Sequence, residues 1–588
     1  MSQLSWGRFQ GYSMQHLRKD LLSGVIVGII AIPLGMAFAI ASGVKPEYGI
    51  YTTIIAGMLI SLLGGSKYQI GGPTGAFVPI LLGIVMVYGY ENLLLAGFLA
   101  GIMLFLMGVL QLGSLIKFIP RPVTIGFTSG IAVIIFTGQI ANFFGLTGIE
   151  KHEDFLSNMG EIALHMSALN IYSVITAIIS LVLIIATPRF FPKIPGSLIG
   201  LMVSSVVAAL FFSGKVATIG STFGDIPSGL PSFHIPVVTW ERVVQMLQPA
   251  FVIAMLGGIE SLLSAVVADG MTGSRHNSNR ELMGQGIANM VTPLFGGIPA
   301  TGAIARTATN IKNGAASPLS GVIHGLVVLL VLLLFAPYAS LIPLASMAPV
   351  LMIVAWNMSE RKEFWHLLKT KTSDSVILVI TFLLTVFTDL TLAVEVGLVL
   401  AAALFVKRMS DVLRVTKVLP DPSDKSKKVR PHMVREGHDC PQISMYTVEG
   451  PLFFGVAQMF ANSIIDTIHE HPKVLILRMG KVPYMDGTGE SNLTSIVRHL
   501  QQRGGILLIS GIQPQPMEVL KKSRLADEIG EKHFFAHTGD ALSYALTRLE
   551  ANECVGCKHF AFQECARLCQ PREGEETDRQ GVYSSLVQ

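Results

Sequence analysis

Glu260 stands in the apolar stretch 251–267, flanked by Gly257-Gly258. A carboxylate at membrane depth is costly unless neutralised or paired, so an intramembrane glutamate is a functional candidate by default. A carboxyl group in such a place can trade its charge for a proton, which makes Glu260 a candidate proton carrier. Ser264 follows one turn later on the same helical face. Its hydroxyl could support Glu260 or a bound sodium ion. Arg306 is the matching cation. It could balance an anionic substrate, or form a structural ion pair with Glu260.

Arg306 belongs to a short motif that occurs twice, about 225 residues apart. The first copy is Gly72-Pro73-Thr74-Gly75-Ala76-Phe77 and the second is Pro299-Ala300-Thr301-Gly302-Ala303-Ile304. Each breaks an apolar stretch, and a short apolar helix is expected after each. Matching broken segments in two halves of a membrane chain mark a binding site between repeats. A helix N-terminus carries unpaired N–H groups and partial positive charge, so two that converge make an anion site. Thr74, Gly75 and Ala76, with Thr301, Gly302 and Ala303, are expected to offer backbone N–H groups and hydroxyls. Phe38 and Phe77 are expected to wall the pocket. Gln69 and Gln139 are lesser polar candidates. Asp269 reads as an interfacial cap, Asp389 and Glu395 as turn residues, and His324 as a packing histidine.

Composition agrees with a membrane setting. Of 588 residues, 51% are hydrophobic and only 14% are charged, with mean hydropathy +0.56. Soluble domains carry about 25% charged residues. Fourteen apolar segments between residues 21 and 406 could span or half-span a bilayer, as two sets of seven. An odd number per half inverts the second half against the first. Short loops rich in Lys and Arg fall on one side: Lys117 and Arg121, Arg189 and Lys193, Arg275 and Arg280, Arg361 to Lys371, and Lys407-Arg408. That side is expected to be cytoplasmic, with both termini. The acidic connection 143–170 falls on the other. No small-residue cleavage site follows the first apolar run, so no secretory leader is expected.

The expected organisation is a cytoplasmic N-terminus (1–20), a transmembrane domain (21–406), a linker (407–440), a small α/β domain (441–549) and a Cys-containing tail (550–588). Strands are expected at 443–448, 452–454, 474–478 and 506–510. Helices are expected at 457–469, 490–503, 515–523 and 539–549. In the tail, Cys554, Cys557, Cys565 and Cys569 could bind zinc as four thiolates. No cofactor is otherwise required. No Gly-x-x-x-x-Gly-Lys-Ser/Thr motif cradles a nucleotide phosphate.

Several motifs in one order resemble the sulfate permease (SulP) family of anion transporters. They are Ile32-Pro33-Leu34-Gly35-Met36-Ala37-Phe38-Ala39, Gly49-Ile50-Tyr51, Gly72-Pro73-Thr74-Gly75-Ala76, Glu260-Ser261-Leu262-Leu263-Ser264, and Asp389-Leu390-Thr391 with Glu395-Val396-Gly397. The soluble part resembles a STAS domain, with Met485-Asp486-Gly487-Thr488-Gly489 at its Asp-Ser-Ser/Thr-Gly loop. Thr488 matches a position phosphorylated in soluble STAS regulators; a scaffold loop is expected here. The resemblance implies a seven-plus-seven inverted repeat with core and gate subdomains, an elevator-like motion and a homodimer.

The expected function is secondary-active transport of a small oxyanion (sulfate, bicarbonate or a C4-dicarboxylate), by proton symport in the inner membrane. The partners would be the anion, a coupling proton or sodium ion and the lipid bilayer, with no nucleic acid. The alternatives are sodium-coupled bicarbonate symport and a membrane-anchored STAS regulator with little transport. A nucleobase permease would lack residues 441–549.

Overall fold

The computed structural model describes residues 12–557 except 115–119, 151, 153, 192–194, 237, 371, 389, 412, 418–439, 455–459, 462–463, 465–471 and 556. Asp389, Cys565, Cys569 and most of the helix expected at 457–469 therefore lie outside the described residues. The chain divides into two compact units, 1–401 and 402–588.

The first unit is helical. Its helices are α1 (Met14–Ala41), α2 (Pro46–Leu63), α3 (Val78–Tyr88), α4 (Tyr90–Val109), α5 (Arg121–Gly138), α6 (Ile140–Phe144), α7 (Phe155–His165), α8 (Ile171–Phe190), α9 (Gly196–Phe211), α10 (Ile219–Phe223), α11 (Trp240–Thr272), α12 (Ser278–Val291), α13 (Ile304–Lys312), α14 (Leu319–Ala339), α15 (Leu344–Met358), α16 (Arg361–Lys369), α17 (Ser373–Phe387) and α18 (Leu390–Asp411). Among the described residues, seven helices are long and apolar enough to cross a membrane. Three more apolar stretches among the described residues, Gly75–Tyr88, Gly196–Phe211 and Ser373–Phe387, form shorter helices. A two-residue strand β1 (Gly71–Gly72) and a 3₁₀ turn (Gly75–Phe77) precede α3, and β2 (Thr301–Gly302) precedes α13.

Packing sorts these helices into two bundles. In one, α1 lies against α14 and α2, and α4 lies against α11 and α12. In the other, α5 packs on α17 and α15, and α8 packs on α9 and α15. Small residues allow the close crossings. A Cβ on Gly101 of α4 would stand 2.6 Å from the Met290 amide nitrogen of α12, and one on Gly286 would stand 2.5 Å from that of Phe105. Van der Waals packing and close backbone approach are what hold helices together where the solvent is itself apolar.

Two local findings go beyond the sequence reading. The connection 143–170 contains the helix α7, whose first turn is capped by Asp154 accepting from the Ser157 N–H at 2.7 Å. Hydrogen bonding from the Ser157 side chain, and then from its N–H, holds the exposed Asp154 carboxyl below its ordinary pKa. Asp20 of α1 is fully buried. It accepts from the Ala316 and Ser317 amides and from the Ser317 and Tyr12 hydroxyls, which ties α1 to the turn before α14.

The second unit is a five-stranded sheet in the order β3 (Arg414–Lys417), β4 (Ile443–Glu449), β5 (Val474–Lys481), β6 (Ile506–Ser510), β7 (Phe534–Phe535). β3 is antiparallel to β4, and the other pairs are parallel. Strand residues alternate between two cores. Leu475, Leu477 and Met479 join Leu493, Ile496, Val497 and Leu500 of α19 (Gly487–Gln502) on one face. Ile443, Met445, Val474, Ile476 and Leu508 join Ala541 and Ala545 of α22 (Thr538–Leu546) on the other. Between them in sequence come α20 (Pro514–Lys522) and α21 (Leu525–Ile529). The strand expected at 452–454 is only a bridge, Leu452 to Met485. Asp486 is the reason: its carboxylate accepts from the Phe454 N–H at 2.9 Å and from the Gly489 N–H at 2.8 Å, bending one segment while capping α19.

Candidate functional site

The two broken segments meet edge to edge. β1 and β2 pair antiparallel, Gly71 with Gly302 and Gly72 with Thr301. The ribbon is short because both segments turn at once into helices, through the 3₁₀ turn to α3 and directly to α13. Neither the turn at Gly75 nor α13 receives a side-chain cap. The first N–H groups of a helix have no partner within it, so uncapped starts leave donors for another acceptor.

The second copy holds the structure together more than it opens to a ligand. The Thr301 hydroxyl donates to the Gly257 carbonyl at 2.9 Å and lies 2.7 Å from the Ser261 hydroxyl. The Gly302 N–H donates to Ser261 Oγ at 3.2 Å, and the Ala303 N–H to the Ile70 carbonyl at 2.8 Å. Past this point Ile304 and Ala305 are exposed at the start of α13. Ser264 turns to Thr307, 3.3 Å away, whose hydroxyl oxygen also accepts from the Ile70 N–H. Ser261, given no role of its own in the sequence, is thus the α11 hydroxyl that grips β2.

Glu260 and Arg306 bond to adjacent residues of the first broken segment, Thr74 and Pro73. Glu260 is partly exposed, and its Oε2 accepts from the Thr74 hydroxyl at 2.9 Å. Arg306 is 3% exposed. Its Nη2 donates to the Pro73 carbonyl, and its Nη1 has no partner among the described residues. The two side chains form no direct ion pair among the described residues. A buried guanidinium therefore keeps one donor edge unmatched.

The aromatic pair lies at the same place. A Cβ on Gly75 would stand 3.4 Å from the Phe38 ring, and one on Gly257 would stand 3.1 Å from the tip of Phe77. Phe38 borders the turn; Phe77 wedges between the turn and α11. Gln139 lies apart, 3.2 Å from Asn142 and lining a separate cavity of about 380 Å³ with Ile40, Val78 and Phe155.

Glu281, not singled out in the sequence, is the hub behind β1. Its fully buried carboxylate accepts from the Gly65 N–H at 2.7 Å, the Ser66 N–H at 3.1 Å, and the Gln69 and Gln285 amides at 3.0 Å each. Gln69 also donates to the Ser261 carbonyl at 3.2 Å. Four donors replace the water such a charge would lose. In the sequence it directly follows the polar run 274–280 and falls in a helix first turn, where acids are ordinary, so no local signal marks it. Asp269 meets His276 at 2.7 Å and braces the α11–α12 turn. His324 is fully buried against Gly57, with neither ring nitrogen partnered among the described residues.

Residues 17–381 match the sulfate permease family and 435–541 match the STAS domain. The chain belongs to the sulfate permease family. It is a multi-pass membrane protein of a family of anion transporters, not an enzyme. It is 57% identical over 531 residues to YvdB of Bacillus subtilis (strain 168), by name a candidate sulfate transporter, covering 90% of this chain and 98% of that one. It is 30% identical over 565 residues to the bicarbonate transporter BicA of a Picosynechococcus species, covering 90% and 95%. Its fold matches the SLC26A9 structure with a TM-score of 0.84 at 19% identity, over 94% and 93% of the two chains. The sulfate permease fold thus accounts for the helical unit, and the STAS fold for the five-stranded sheet. For the tail, no group of three or more potential metal ligands occurs among the described residues, which include Cys554 and Cys557.

Proposed function

We propose that the protein is a proton-coupled symporter of a small oxyanion, working as a homodimer in the inner membrane with both termini cytoplasmic. The observation that carries this reading is the unmatched Nη1 of buried Arg306 beside two uncapped helix starts. Those groups are all donors, and the charged oxygens of an oxyanion are acceptors. The anion would lie at the 75–77 turn and the start of α13, bordered by Phe38, with Thr74 and Arg306 fixing its orientation.

Coupling follows from Glu260. Ionised, it places a negative charge beside the incoming anion. Protonated, it removes that repulsion, so proton and anion favour one another's binding by a reciprocal coupling free energy. The empty site would return with Glu260 ionised, and Glu260 would take its next proton on the proton-rich side. The bundle that holds α1–α4 and α11–α14 would carry the site past the other in an elevator-like motion.

Sulfate is favoured by the relative named for it and bicarbonate by BicA; C4-dicarboxylates share the same acceptor chemistry. Sodium coupling is the second reading, supported by the Thr74 hydroxyl on the α11 carboxylate. The test is uptake of radiolabelled sulfate, bicarbonate or fumarate into proteoliposomes under an imposed proton or sodium gradient. Proton-driven uptake of one anion, lost in Glu260→Gln, supports the proposal. Sodium-driven uptake replaces the coupling ion. No uptake of any of the three overturns it and brings forward a STAS regulator with little transport.

A further inference from the structure

The apolar face of the STAS sheet turns polar along one row. On the face packed against α22, β4 presents Ile443 and Met445, β5 presents Val474 and Ile476, and β6 presents Leu508. One step further in the same alternation come Thr447, Arg478 and Ser510, paired in register as Thr447 with Arg478 and Arg478 with Ser510. The row lies toward the carboxyl ends of three parallel strands, where α/β sheets bind ligands. It lines a cavity of about 160 Å³ with Glu449, Lys481, Gly480, Gly511 and Thr538.

The hydrogen bonds give this cavity a polarity. Arg478 Nη1 donates to Thr447 Oγ1 at 3.2 Å, and Nε donates to Thr538 Oγ1 at 3.1 Å. Each of those hydroxyl oxygens accepts, so each keeps its own hydrogen to give. Thr538 and Ser510 are 3.2 Å apart and share one such hydrogen between them. The acid in the cavity, Glu449, is matched by Lys481 at 2.5 Å. Burial pushes the Arg478 guanidinium below its ordinary pKa and Glu449 raises it, but a guanidinium stays charged throughout the physiological range. Thr538 also opens α22, whose N-terminus has no side-chain cap. Asp540 in that first turn is exposed and does not line the cavity. Two cations against one carboxylate leave a positive surplus, surrounded by donors.

We propose that this cavity is a second oxyanion site, separate from the membrane site, which binds a tetrahedral phosphate or sulfate group through Arg478, Thr447, Ser510 and Thr538. An acceptor-only ligand with several oxygens satisfies the donors that a neutral or cationic ligand would leave unmatched. The shared chemistry fits the free inorganic anion and a phosphomonoester alike.

The test is hydrogen–deuterium exchange of the full chain in lipid nanodiscs, read in peptides covering 444–449, 476–481, 508–513 and 536–542. The ligands are inorganic phosphate, sulfate and glycerol phosphate, each against chloride at equal ionic strength. Exchange through local opening is expected to slow about tenfold at ten times Kd. Phosphate or sulfate protection assigns the free anion, and protection by glycerol phosphate alone assigns the ester; both support the site. The effect should vanish in Arg478→Gln and weaken in Thr538→Val, while Arg306→Gln, which disables the membrane site, leaves it intact. Should Arg478→Gln loosen the sheet without ligand, Lys481→Gln at the cavity rim serves in its place. No protection, equal protection by chloride, or protection that survives the cavity substitutions overturns the proposal.

Discussion

Thr74, just before the first short helix, gives its hydroxyl hydrogen to Glu260 of α11, 186 residues away in sequence and 2.9 Å away in space. The expected coupling residue is thereby wired to the segment expected to touch the anion. A hydrogen bond to a charged group contributes about 1.5–3 kcal/mol. Thr74→Val should therefore change the proton dependence of uptake while leaving gradient-free anion exchange within about fivefold, since roughly 1 kcal/mol of anion contact is at stake. Glu260→Gln should abolish the response to a proton gradient altogether. Paired uptake and exchange assays read both effects; driven uptake that persists in Glu260→Gln removes Glu260 from coupling.

Arg306 depends on the absence of a side chain at Gly72. A Cβ there would stand 2.5 Å from Nη1, at a backbone φ of +150° that favours glycine. Gly72→Ala should mimic Arg306→Gln, raising KM by about tenfold or more for a lost charge-assisted contact of roughly 1.5–3 kcal/mol. Arg306→Lys should recover little, because an ammonium cannot hold the Pro73 carbonyl and an anion with one planar fork. The outcome against this is a Gly72→Ala protein that transports normally.

Glu281 predicts a stability effect. Glu281→Gln puts an amide NH₂ among four donors and leaves at least one of them unmatched. The expected loss is about 2–4 kcal/mol, seen as a fall in the melting temperature of detergent-solubilised protein. Sulfate or bicarbonate should restore part of it if the ribbon still binds anion. A melting temperature equal to wild type would mean the four contacts are not made together.

Asp486 predicts a smaller and local one. Asp486→Ala removes the α19 cap and releases Phe454, at a cost of about 1–2 kcal/mol. Asp486→Asn should retain most of it, because the amide oxygen still accepts one N–H. Denaturant melts of the full chain, followed by exchange in 487–502, distinguish the two. Equal behaviour of Ala and wild type would show that the cap contributes nothing.

The repeated motif was legible because Pro73, Pro299 and the adjacent glycines break apolar runs that hydropathy otherwise reads as continuous. Glu260 was legible because a charge in lipid has few innocent explanations. Glu281 and Asp20 were not, because each sits in the opening turns of a helix, where acids are ordinary, and only the fold reveals which backbone amides gather on them. The Thr301–Ala303 donors are largely taken up by Ser261 and Ile70, a pairing set by the ribbon rather than by any local pattern. In the STAS unit, strands of alternating Val, Ile and Leu were clear, whereas β3 hides in a four-residue run beside the charged linker. The strand expected at 452–454 gave way to a bridge once Asp486 claimed the Phe454 amide.

The ribbon between Gly71–Gly72 and Thr301–Gly302 also sets a timetable. A chain made at about 5–20 residues per second separates the two halves of that pairing by roughly ten to fifty seconds. For that interval the first broken segment exists without its partner, its backbone amides unmatched in surroundings that tolerate few such groups. The membrane-inserted first half must wait, incomplete, for its counterpart to be synthesised. A ribosome that stalls between residues 72 and 301 should leave a nascent chain that quality-control proteases recognise, and one co-expressed second half should be enough to rescue it.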